Sequence, residues 1–212
     1  DQVGVAHGEF VGDNVLVEQG DLVTFPNLSG VADSWVELNG ADIDLSTYDE
    51  VSIASWFTPA LENTQWNALW FFGNDGNGAG VGSDGFCFQS SRGDDRARVW
   101  VSCGDQTAPY NIEDAVNDTT NNPAGGNPDF TEYNDLDLHH VVCLINEDME
   151  LKLYHNGVYI GADTLVYDAA TGKINDIVNI SPNFARFCHS CYSADLPWLG
   201  SLHEIAIFNK AL

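Results

Sequence analysis

A β-hairpin signal in the C-terminal third constrains the fold more than any other feature of this chain. Apolar residues occupy every second position over 149–153, which is the pattern of a strand with one buried face. Asn156 and Gly157 follow, and this dipeptide favours the two positive φ angles of a type I′ turn. Residues 158–160 then return as a second apolar run. The sequence therefore predicts an antiparallel hairpin.

The turn also predicts which residues face each other across the hairpin. Leu153 is expected opposite Ile160. Tyr154 is expected opposite Tyr159, a cross-strand pair that fixes the register. Elsewhere, 20 Gly and 11% aromatic residues, with turn residues between β-branched runs, are typical of many short strands rather than helices. A length of 212 residues is consistent with one all-β domain over 1–212.

Four parts of the chain, in order, resemble the motifs of one family. They are the runs 34–38 and 51–59, then 138–142, 153–158 and 200–212. On these motifs the chain resembles, from about Ser34 to Leu212, the laminin-G-like jelly-roll domains of the concanavalin A-like lectin/glucanase superfamily, which are related to the pentraxins. The resemblance implies a two-sheet antiparallel β-sandwich in which 34–38 and 51–59 are the first paired core strands. The sequence departs from the family at Leu138, where Trp is usual, and at His203, where many members carry Asp.

The charge balance excludes two classes of partner. Seven Lys and Arg stand against 32 Asp and Glu, a net charge of −25. Such a chain repels nucleic acid phosphates and anionic lipid surfaces. Membrane insertion is not expected either, because no apolar run approaches the roughly 18–20 residues that span a bilayer. Some of the carboxylates are candidates for Ca²⁺, and most are expected to form a solvated acidic surface.

The ends of the chain and its cysteines suggest a compartment. Asp1 begins without a basic and apolar signal region, and the C-terminus coincides with the closing strand of the resembling family. We therefore expect a module of a larger extracellular protein, or a mature secreted product. Five cysteines are an odd number, so one thiol is expected to be free, and we assign it to Cys143 in an apolar strand. Two disulfides would place the chain outside the cell or at its surface.

Two disulfides are predicted from the positions of the other cysteines. Cys87 and Cys103 lie in two strand-like runs joined by a polar turn, and a symmetric hairpin centred on Asp95 would place them opposite each other. Cys188 and Cys191 are predicted to form a loop disulfide. The alternative for this second pair is half of a Zn²⁺ site, with His189 or His203 as a nitrogen ligand.

A Gly-rich loop over 73–84 is the main candidate for a metal site. The resemblance to the pentraxins implies calcium ligands at Asn74 and Asp75, and Asp84 lies in the same oxygen-rich loop. The remainder of a pentraxin site would come from the loop 181–197, where Asp195 is the only acid. A single Ca²⁺ is therefore expected at most, and ordinary turn chemistry explains Asn74 and Asp75 equally well.

The segment 104–137 is the longest stretch without a regular pattern. Such loops in compact domains are often functional. Residues 112–116 are predicted to form one helical turn. The segment also supplies secondary metal candidates, which are Asp114, Asp118, Asp129 and Glu132.

Aromatic residues in loops are the candidates for sugar contacts, because sugar rings present apolar C–H faces that stack on aromatic rings. Four residues in or beside loops are the predicted ligand contacts: Trp66, Tyr110, Tyr133 and Trp198. The alternative is that these side chains cap the sandwich. Trp56 and Trp70 lie on strand patterns and are predicted to pack in the core.

The sequence does not contain the catalytic motif of the related glucanases. The E-x-D-x-E strand of the related glucanases is missing, and the spacing of Glu147 and Glu150 would place them on opposite faces of a strand. His139 and His140 are expected to be structural strand residues of alternating exposure. We therefore predict a non-catalytic extracellular module that binds a glycan or mediates adhesion, with Ca²⁺ as a candidate cofactor. The alternative is a protein-binding assembly module without a sugar site, and a glycoside hydrolase or lyase is less favoured.

Overall fold

The computed structural model describes most of the chain. The described residues are 8–12, 16–17, 23–25, 35–43, 45, 48–61, 63, 66–73, 85–92, 96–102, 113–119, 133, 135–165, 185–192 and 195–212. Within these ranges the chain forms fourteen strands and a 3-10 turn over Gly40–Asp42, with no α-helix. None of the described residues belongs to a helix that could cross a membrane.

The strands are short, as the turn-rich sequence predicts. They are β1 (Gly8–Val11), β2 (Leu16–Val17), β3 (Val23–Phe25), β4 (Trp35–Leu38), β5 (Val51–Pro59), β6 (Asn67–Gly73), β7 (Gly85–Arg92), β8 (Arg96–Ser102), β9 (Glu113–Asn117), β10 (His139–Ile145), β11 (Glu150–His155), β12 (Val158–Thr164), β13 (Ala185–Phe187) and β14 (Gly200–Phe208).

Two seven-stranded sheets form the molecule. The first sheet has the order β1-β4-β13-β6-β7-β8-β9, and the second has the order β12-β11-β10-β5-β14-β3-β2. Every pair of neighbouring strands is antiparallel. The inner faces of the two sheets enclose the main apolar core. The prediction of an all-β, two-sheet antiparallel β-sandwich of the jelly-roll type is confirmed.

The β11–β12 hairpin forms as predicted except for one residue. Asn156 and Gly157 have φ angles of 49° and 78°, as a type I′ turn requires. Tyr154 lies opposite Tyr159, as expected. Leu153 lies opposite Gly161 rather than Ile160, because a register shift follows between Leu153 and Tyr154.

Two other expectations about strands are wrong. The runs 34–38 and 51–59 are not paired with each other, because β4 lies between β1 and β13 in the first sheet, whereas β5 lies between β10 and β14 in the second. The helical turn expected at 112–116 is replaced by strand β9, which pairs with β8 through Val116 and Val99. The apolar residue at 116 therefore fills the core from a strand.

The core contains the large side chains of both inner faces. Trp70 and Cys143 are fully buried there, as predicted. Among the described residues, the largest fully buried side chains include Trp70, Trp198, Tyr133, Phe57, Phe72, Phe86 and Phe88. This dense aromatic packing makes the sandwich a rigid support for its surfaces.

The outer faces of the two sheets differ. On the first sheet the outward side chains of Phe71, Cys87 and Trp100 are at most 3% exposed, and Cys191 and Tyr192 pack with them. Residues 191 and 192, which follow β13, therefore lie over this face. On the second sheet, Trp56 and Tyr159 are 39% and 53% exposed on the outer side. Among the described residues, the second sheet therefore has the more open outer surface.

Candidate functional site

The outer face of the second sheet carries an exposed tryptophan beside an imidazole. Trp56 on β5 has His140 of β10 as one cross-strand neighbour and Glu204 of β14 as the other. Strand alternation turns Trp56 outward because its neighbours Ser55 and Phe57 are fully buried on the inner face. The prediction that Trp56 packs in the core is therefore wrong.

Trp56 and His140 form a stacked pair. Their ring centroids are 4.2 Å apart and the planes meet at 19°. Burial lowers the pKa of His140, although nearby Glu204 acts in the opposite direction. The imidazole is therefore uncharged at pH 7, and its ring stacks against one face of the indole.

Two tyrosines extend the aromatic surface across further strands. Tyr154 of β11 and Tyr159 of β12 lie opposite each other, with ring centroids 5.4 Å apart. Tyr154 projects to the same face as His140, because β10 and β11 are paired through Val142 and Tyr154. We call the surface made by Trp56, His140, Tyr154 and Tyr159 the outer aromatic face. It spans four adjacent strands, β5, β10, β11 and β12, over roughly 14 Å.

Polar groups adjoin the outer aromatic face on the β14 side. A register shift between Leu202 and Glu204 marks a bulge that contains His203. The Nε2 atom of His203 lies 3.0 Å from Oγ1 of Thr58, two residues from Trp56 on the same face. Burial lowers the pKa of His203 as well. Glu204, His203 and Thr58 thus place a carboxylate, an imidazole and a hydroxyl next to an exposed indole.

The aromatic residues predicted to contact a ligand from loops differ in their exposure. Trp66 is 40% exposed and adopts a φ angle of 68° just before β6. Trp198 is fully buried and donates a hydrogen bond from Nε1 to Oγ of Ser90 at 2.9 Å. Tyr133 is also fully buried. These two rings offer no face to a ligand, so they cap the sandwich instead. Tyr110 lies outside the described residues.

The described part of the structure does not show the predicted calcium ligands together at one site. Asn74, Asp75 and Asp84, and the secondary candidates Asp129 and Glu132, lie outside the described ranges. Asp195 is half-buried and accepts a hydrogen bond from Oγ of Ser190 at 2.6 Å. Burial raises its pKa to about 6, so its charged form is disfavoured. In the described part of the chain, no group of three or more His, Cys, Asp or Glu side chains is placed to hold a metal ion.

The remaining secondary candidates have structural positions. Asp114 is a partly exposed residue of β9, opposite Val101. Asp118 is fully buried and accepts a hydrogen bond of 2.6 Å from the hydroxyl of Tyr133. This carboxylate therefore lies inside the sandwich and holds the Tyr133 hydroxyl.

The two predicted disulfides are not formed. Cys87 lies opposite Trp100 in the β7–β8 hairpin, and its thiol is free. Cys103 lies outside the described residues. Cys188 points into the main core, whereas Cys191 belongs to the cluster on the outer face of the first sheet. Because the two side chains lie on opposite sides, the short C-x-x-C loop does not close on itself. Cys143 is a buried free thiol, as predicted.

Sequence reasoning missed Trp56 because its strand is apolar on both faces. On β5 the inner row contains Ser55, while the outer row contains Ala54 and Trp56, so alternation alone does not distinguish the faces. The cross-strand pairing with His140 would have shown it, because two residues opposite each other in a sheet point to the same face. The expected alternation of His139 and His140 is confirmed, with His139 only 4% exposed on the inner face.

Comparisons with known proteins identify related sequences and folds. The family model described as the concanavalin A-like lectin/glucanases superfamily, of the laminin G 3 type, matches residues 29–212. No curated protein sequence matches the chain. Among solved structures, the sialidase CBM40 of Ruminococcus gnavus bound to α2,3 sialyllactose shares 13% identity over 81% of each chain, with a TM-score of 0.56.

Two further structures cover nearly the whole chain. Domain 4 of AbnA, a GH43 extracellular arabinanase from Geobacillus stearothermophilus, in complex with arabinotriose, is 18% identical over 97% of this chain and 83% of that one, with a TM-score of 0.60. A structure of botulinum neurotoxin type C, whose cell entry depends on interaction with two ganglioside molecules, is 16% identical over 98% of this chain and 44% of that one, with a TM-score of 0.58. At these identities the likeness concerns the fold.

Proposed function

Because the chain belongs to the concanavalin A-like lectin/glucanases superfamily, we propose that it is a non-catalytic module that binds carbohydrate on the outer aromatic face. The observation that carries the proposal is Trp56, a 39% exposed indole held against His140 on a rigid sheet. An exposed ring of this kind matches the apolar C–H face of a sugar. Two structures with the same fold, one bound to sialyllactose and one to arabinotriose, support this choice of ligand class.

Neighbouring polar groups suit the hydroxyls of a sugar. Glu204 is exposed beside Trp56 and offers carboxylate oxygens as acceptors. Thr58 and His203 add a hydroxyl and an imidazole that are hydrogen-bonded to each other. Each group can form a further hydrogen bond, which is available to a sugar hydroxyl. Hydrogen bonds to charged groups are stronger than those between neutral groups. Glu204 is therefore the residue proposed to distinguish sugars by the orientation of their hydroxyls.

The charge of the site favours a neutral oligosaccharide. Glu204 is a negative group beside the indole, and the whole chain carries a net charge of −25. The imidazoles of His140 and His203 stay neutral at pH 7 because burial lowers their pKa values. Lys152 projects to the same face of β11 as Tyr154, but its ammonium is paired with Glu150 at 2.8 Å. An acidic sugar would therefore meet repulsion, and none of the described residues at this face offers it an unpaired cation.

A glycan array with paired sugars tests the proposal. Each neutral oligosaccharide is printed beside its sialylated form, and the wild type is compared with Trp56→Ala and Trp66→Ala. We expect the wild type to bind neutral members, Trp56→Ala to lose at least tenfold in affinity, and Trp66→Ala to bind as the wild type does. Silence on a broad array would favour a protein-binding adhesion or assembly module instead. Equal binding by Trp56→Ala would move the site elsewhere.

Calcium is a separate part of the proposal. The candidates for an ion are Asn74, Asp75 and Asp84, since Asp195 has a raised pKa and is bonded to Ser190. We expect chelator to leave binding at the outer aromatic face unchanged, because its polar groups form no metal cluster within the described residues. A Ca²⁺-dependent melting temperature that Asp75→Ala abolishes would place an ion in the loop 73–84. Loss of all glycan binding with chelator would contradict a metal-independent site.

The proposed location of the protein follows from the proposed ligand. Oligosaccharides of the proposed class are found mainly outside cells or on their surfaces, and one structure with this fold is a domain of an extracellular arabinanase. Secretion and the presence of a larger parent protein are therefore part of the proposal. Recovery of the native protein from a cell surface or medium would support it, and recovery from the cytosol alone would contradict it.

A further inference from the structure

The outer face of the first sheet contains two cysteines that belong to one buried cluster. Its members are Ala68, Phe71, Cys87, Trp100 and Cys191. Cys87 is fully buried, and Cys191 is 8% exposed. They are about 100 residues apart in sequence, and they come from β7 and from the segment that follows β13. The fold, rather than local sequence, brings them together.

The position of Cys87 is fixed by its neighbours in the sheet. On β6 it lies opposite Phe71, and on β8 it lies opposite Trp100. Both rings belong to the same cluster, so the sulfur of Cys87 is directed outward into the layer that contains Cys191. Phe86 and Phe88, on either side, point into the main core.

The position of Cys191 is fixed by the route of the chain after β13. The N–H of Cys188 donates to the carbonyl of Leu69 at 2.8 Å, and the N–H of Trp198 donates to the carbonyl of Cys188 at 2.9 Å. Cys188 and Trp198 enter the main core at the two ends of this segment. Between these two ends, Cys191 and Tyr192 pack on the outer face of the sheet, in the cluster that contains Cys87.

Cys87 is a thiol in this structure, and we propose that on oxidation Cys87 and Cys191 form a disulfide that fastens residues 188–192 to β7. The bond requires their Cα atoms to lie within about 7 Å of each other. It would replace both sequence-based pairings, because Cys188 faces the opposite side of the sheet and Trp100 stands opposite Cys87. The inference stands on the cysteine cluster and is independent of the proposed glycan site.

The chemistry is a thiol–disulfide exchange with a disulfide oxidant such as oxidised glutathione. One cysteine thiolate attacks the oxidant, forms a mixed disulfide and releases one glutathione thiolate. The second cysteine then attacks the protein sulfur of that mixed disulfide and releases the other glutathione. Overall the protein loses two protons and two electrons, and one glutathione disulfide becomes two glutathione thiols.

The exchange must take place before the segment closes over β7. Burial raises the pKa of Cys87 well above its ordinary value, and the proximity of Cys191 and Asp195 raises it further. The buried thiol is therefore protonated and shielded from an oxidant. Oxidation during folding, or during opening of the segment, avoids this barrier.

Peptide mapping distinguishes the three possible connections. Cleavage at Lys and Arg separates Cys87 (1–92), Cys103 with Cys143 (99–152), and Cys188 with Cys191 (187–210). After refolding with glutathione and alkylation of free thiols, we expect a bridge between 1–92 and 187–210 that Cys188→Ala retains and Cys191→Ser abolishes. A bridge from 1–92 to 99–152, a loop within 187–210, or five alkylated cysteines would overturn the proposal.

Thermal unfolding gives a second readout. A disulfide that closes about 100 residues of chain restricts the unfolded state strongly, so reduction should lower the melting temperature by roughly 5 °C or more. Cys87→Ala should remove this dependence on reductant, whereas Cys143→Ala should keep it. Wild-type melting curves that coincide with and without reductant would contradict the bond.

Discussion

The Nδ1 atom of His139 lies 2.9 Å from Nε2 of His155, so the two imidazoles share one proton between β10 and β11. His139 is the first residue of β10 and His155 is the last of β11. Nε2 of His139 lies 2.7 Å from Oδ1 of Asp135, and Nδ1 of His155 lies 3.8 Å from Oδ2 of Asp118. Tyr133 stacks on both imidazoles. The pair is therefore a half-buried hydrogen-bonded unit that closes one end of the sandwich.

This unit predicts loss of stability in acid. Burial lowers the pKa of His155, His139 lowers it further, and Asp118 and Asp135 act in the opposite direction. A folded-state pKa below the unfolded value of about 6.5 means that the unfolded chain binds more protons in that window. The stabilisation is present above about pH 6.5 and is lost as the pH falls through the folded-state pKa.

Thermal melts from pH 7.5 to pH 5 measure the effect. We expect the wild type to lose more melting temperature than His155→Gln as the pH falls across this range. His140 and His203 also have lowered pKa values and add to this loss in both proteins, whereas Asp195, whose pKa is raised to about 6, gives the opposite slope in both. Identical slopes for wild type and variant would show that His155 is not responsible.

The sequence predicts the sheets better than it predicts the surfaces. Hairpin β11–β12 could be recognised because alternation and an Asn-Gly turn are local signals. The exposure of Trp56 depends on its pairing with His140, about 80 residues away, which local patterns do not contain. The positions of Cys188 and Cys191 depend on a different feature, a positive φ of 68° at Cys188, which is uncommon for a residue other than Gly. Long-range pairing therefore decides the exposure of Trp56, and an unusual backbone angle accompanies the separation of the two cysteines.

Asp195 should destabilise the protein at neutral pH. Burial raises its pKa to about 6, above the ordinary 3.8, so this group contributes full stability below about pH 3.8 and loses it as the pH rises through 6. Asp195→Asn keeps an oxygen acceptor for Ser190 and removes the charge. We expect a gain of up to about 3 kcal/mol in unfolding free energy at pH 7.5 that shrinks towards pH 4. Urea titrations at both pH values measure it.

The control for this prediction is Asp148→Asn. Asp148 is exposed in the turn before β11, so its neutralisation should leave the unfolding free energy within about 0.5 kcal/mol. A gain of equal size in both variants would indicate a general effect of the high negative charge. A loss of stability in Asp195→Asn would refute the prediction.

Gly200 should not tolerate any side chain. It has a φ angle of 144°, and a Cβ there would lie 2.3 Å from the carbonyl oxygen of Thr58 and 2.5 Å from the ring of Trp198. Gly200→Ala is therefore expected to cost at least about 2–3 kcal/mol of stability, because backbone and a buried ring must both move. Chemical denaturation followed by circular dichroism measures the loss.

Gly161→Ala is the matched control for that substitution. Its Cβ would meet only Cγ1 of Val116 at 3.2 Å, which a small shift of that side chain relieves. We expect a change below about 1 kcal/mol. If both variants lose the same stability, the close approach at Gly200 is not the cause.

The hydroxyl of Tyr133 should stabilise the end of the sandwich by satisfying a buried carboxylate. It donates to Oδ2 of Asp118 at 2.6 Å, and both side chains are fully buried. Burial and the neighbouring Asp118 raise the pKa of Tyr133 well above 10, so the hydroxyl remains a donor at every working pH. Tyr133→Phe keeps the stacked ring and removes the donor. Leaving a buried carboxylate oxygen without this partner should cost about 1–3 kcal/mol. The control is Tyr154→Phe, because Tyr154 is partly exposed on the outer aromatic face. In urea titrations of both variants, the control should change the unfolding free energy by less than about 0.5 kcal/mol. Equal losses in the two variants would contradict a special role for the Tyr133 hydroxyl.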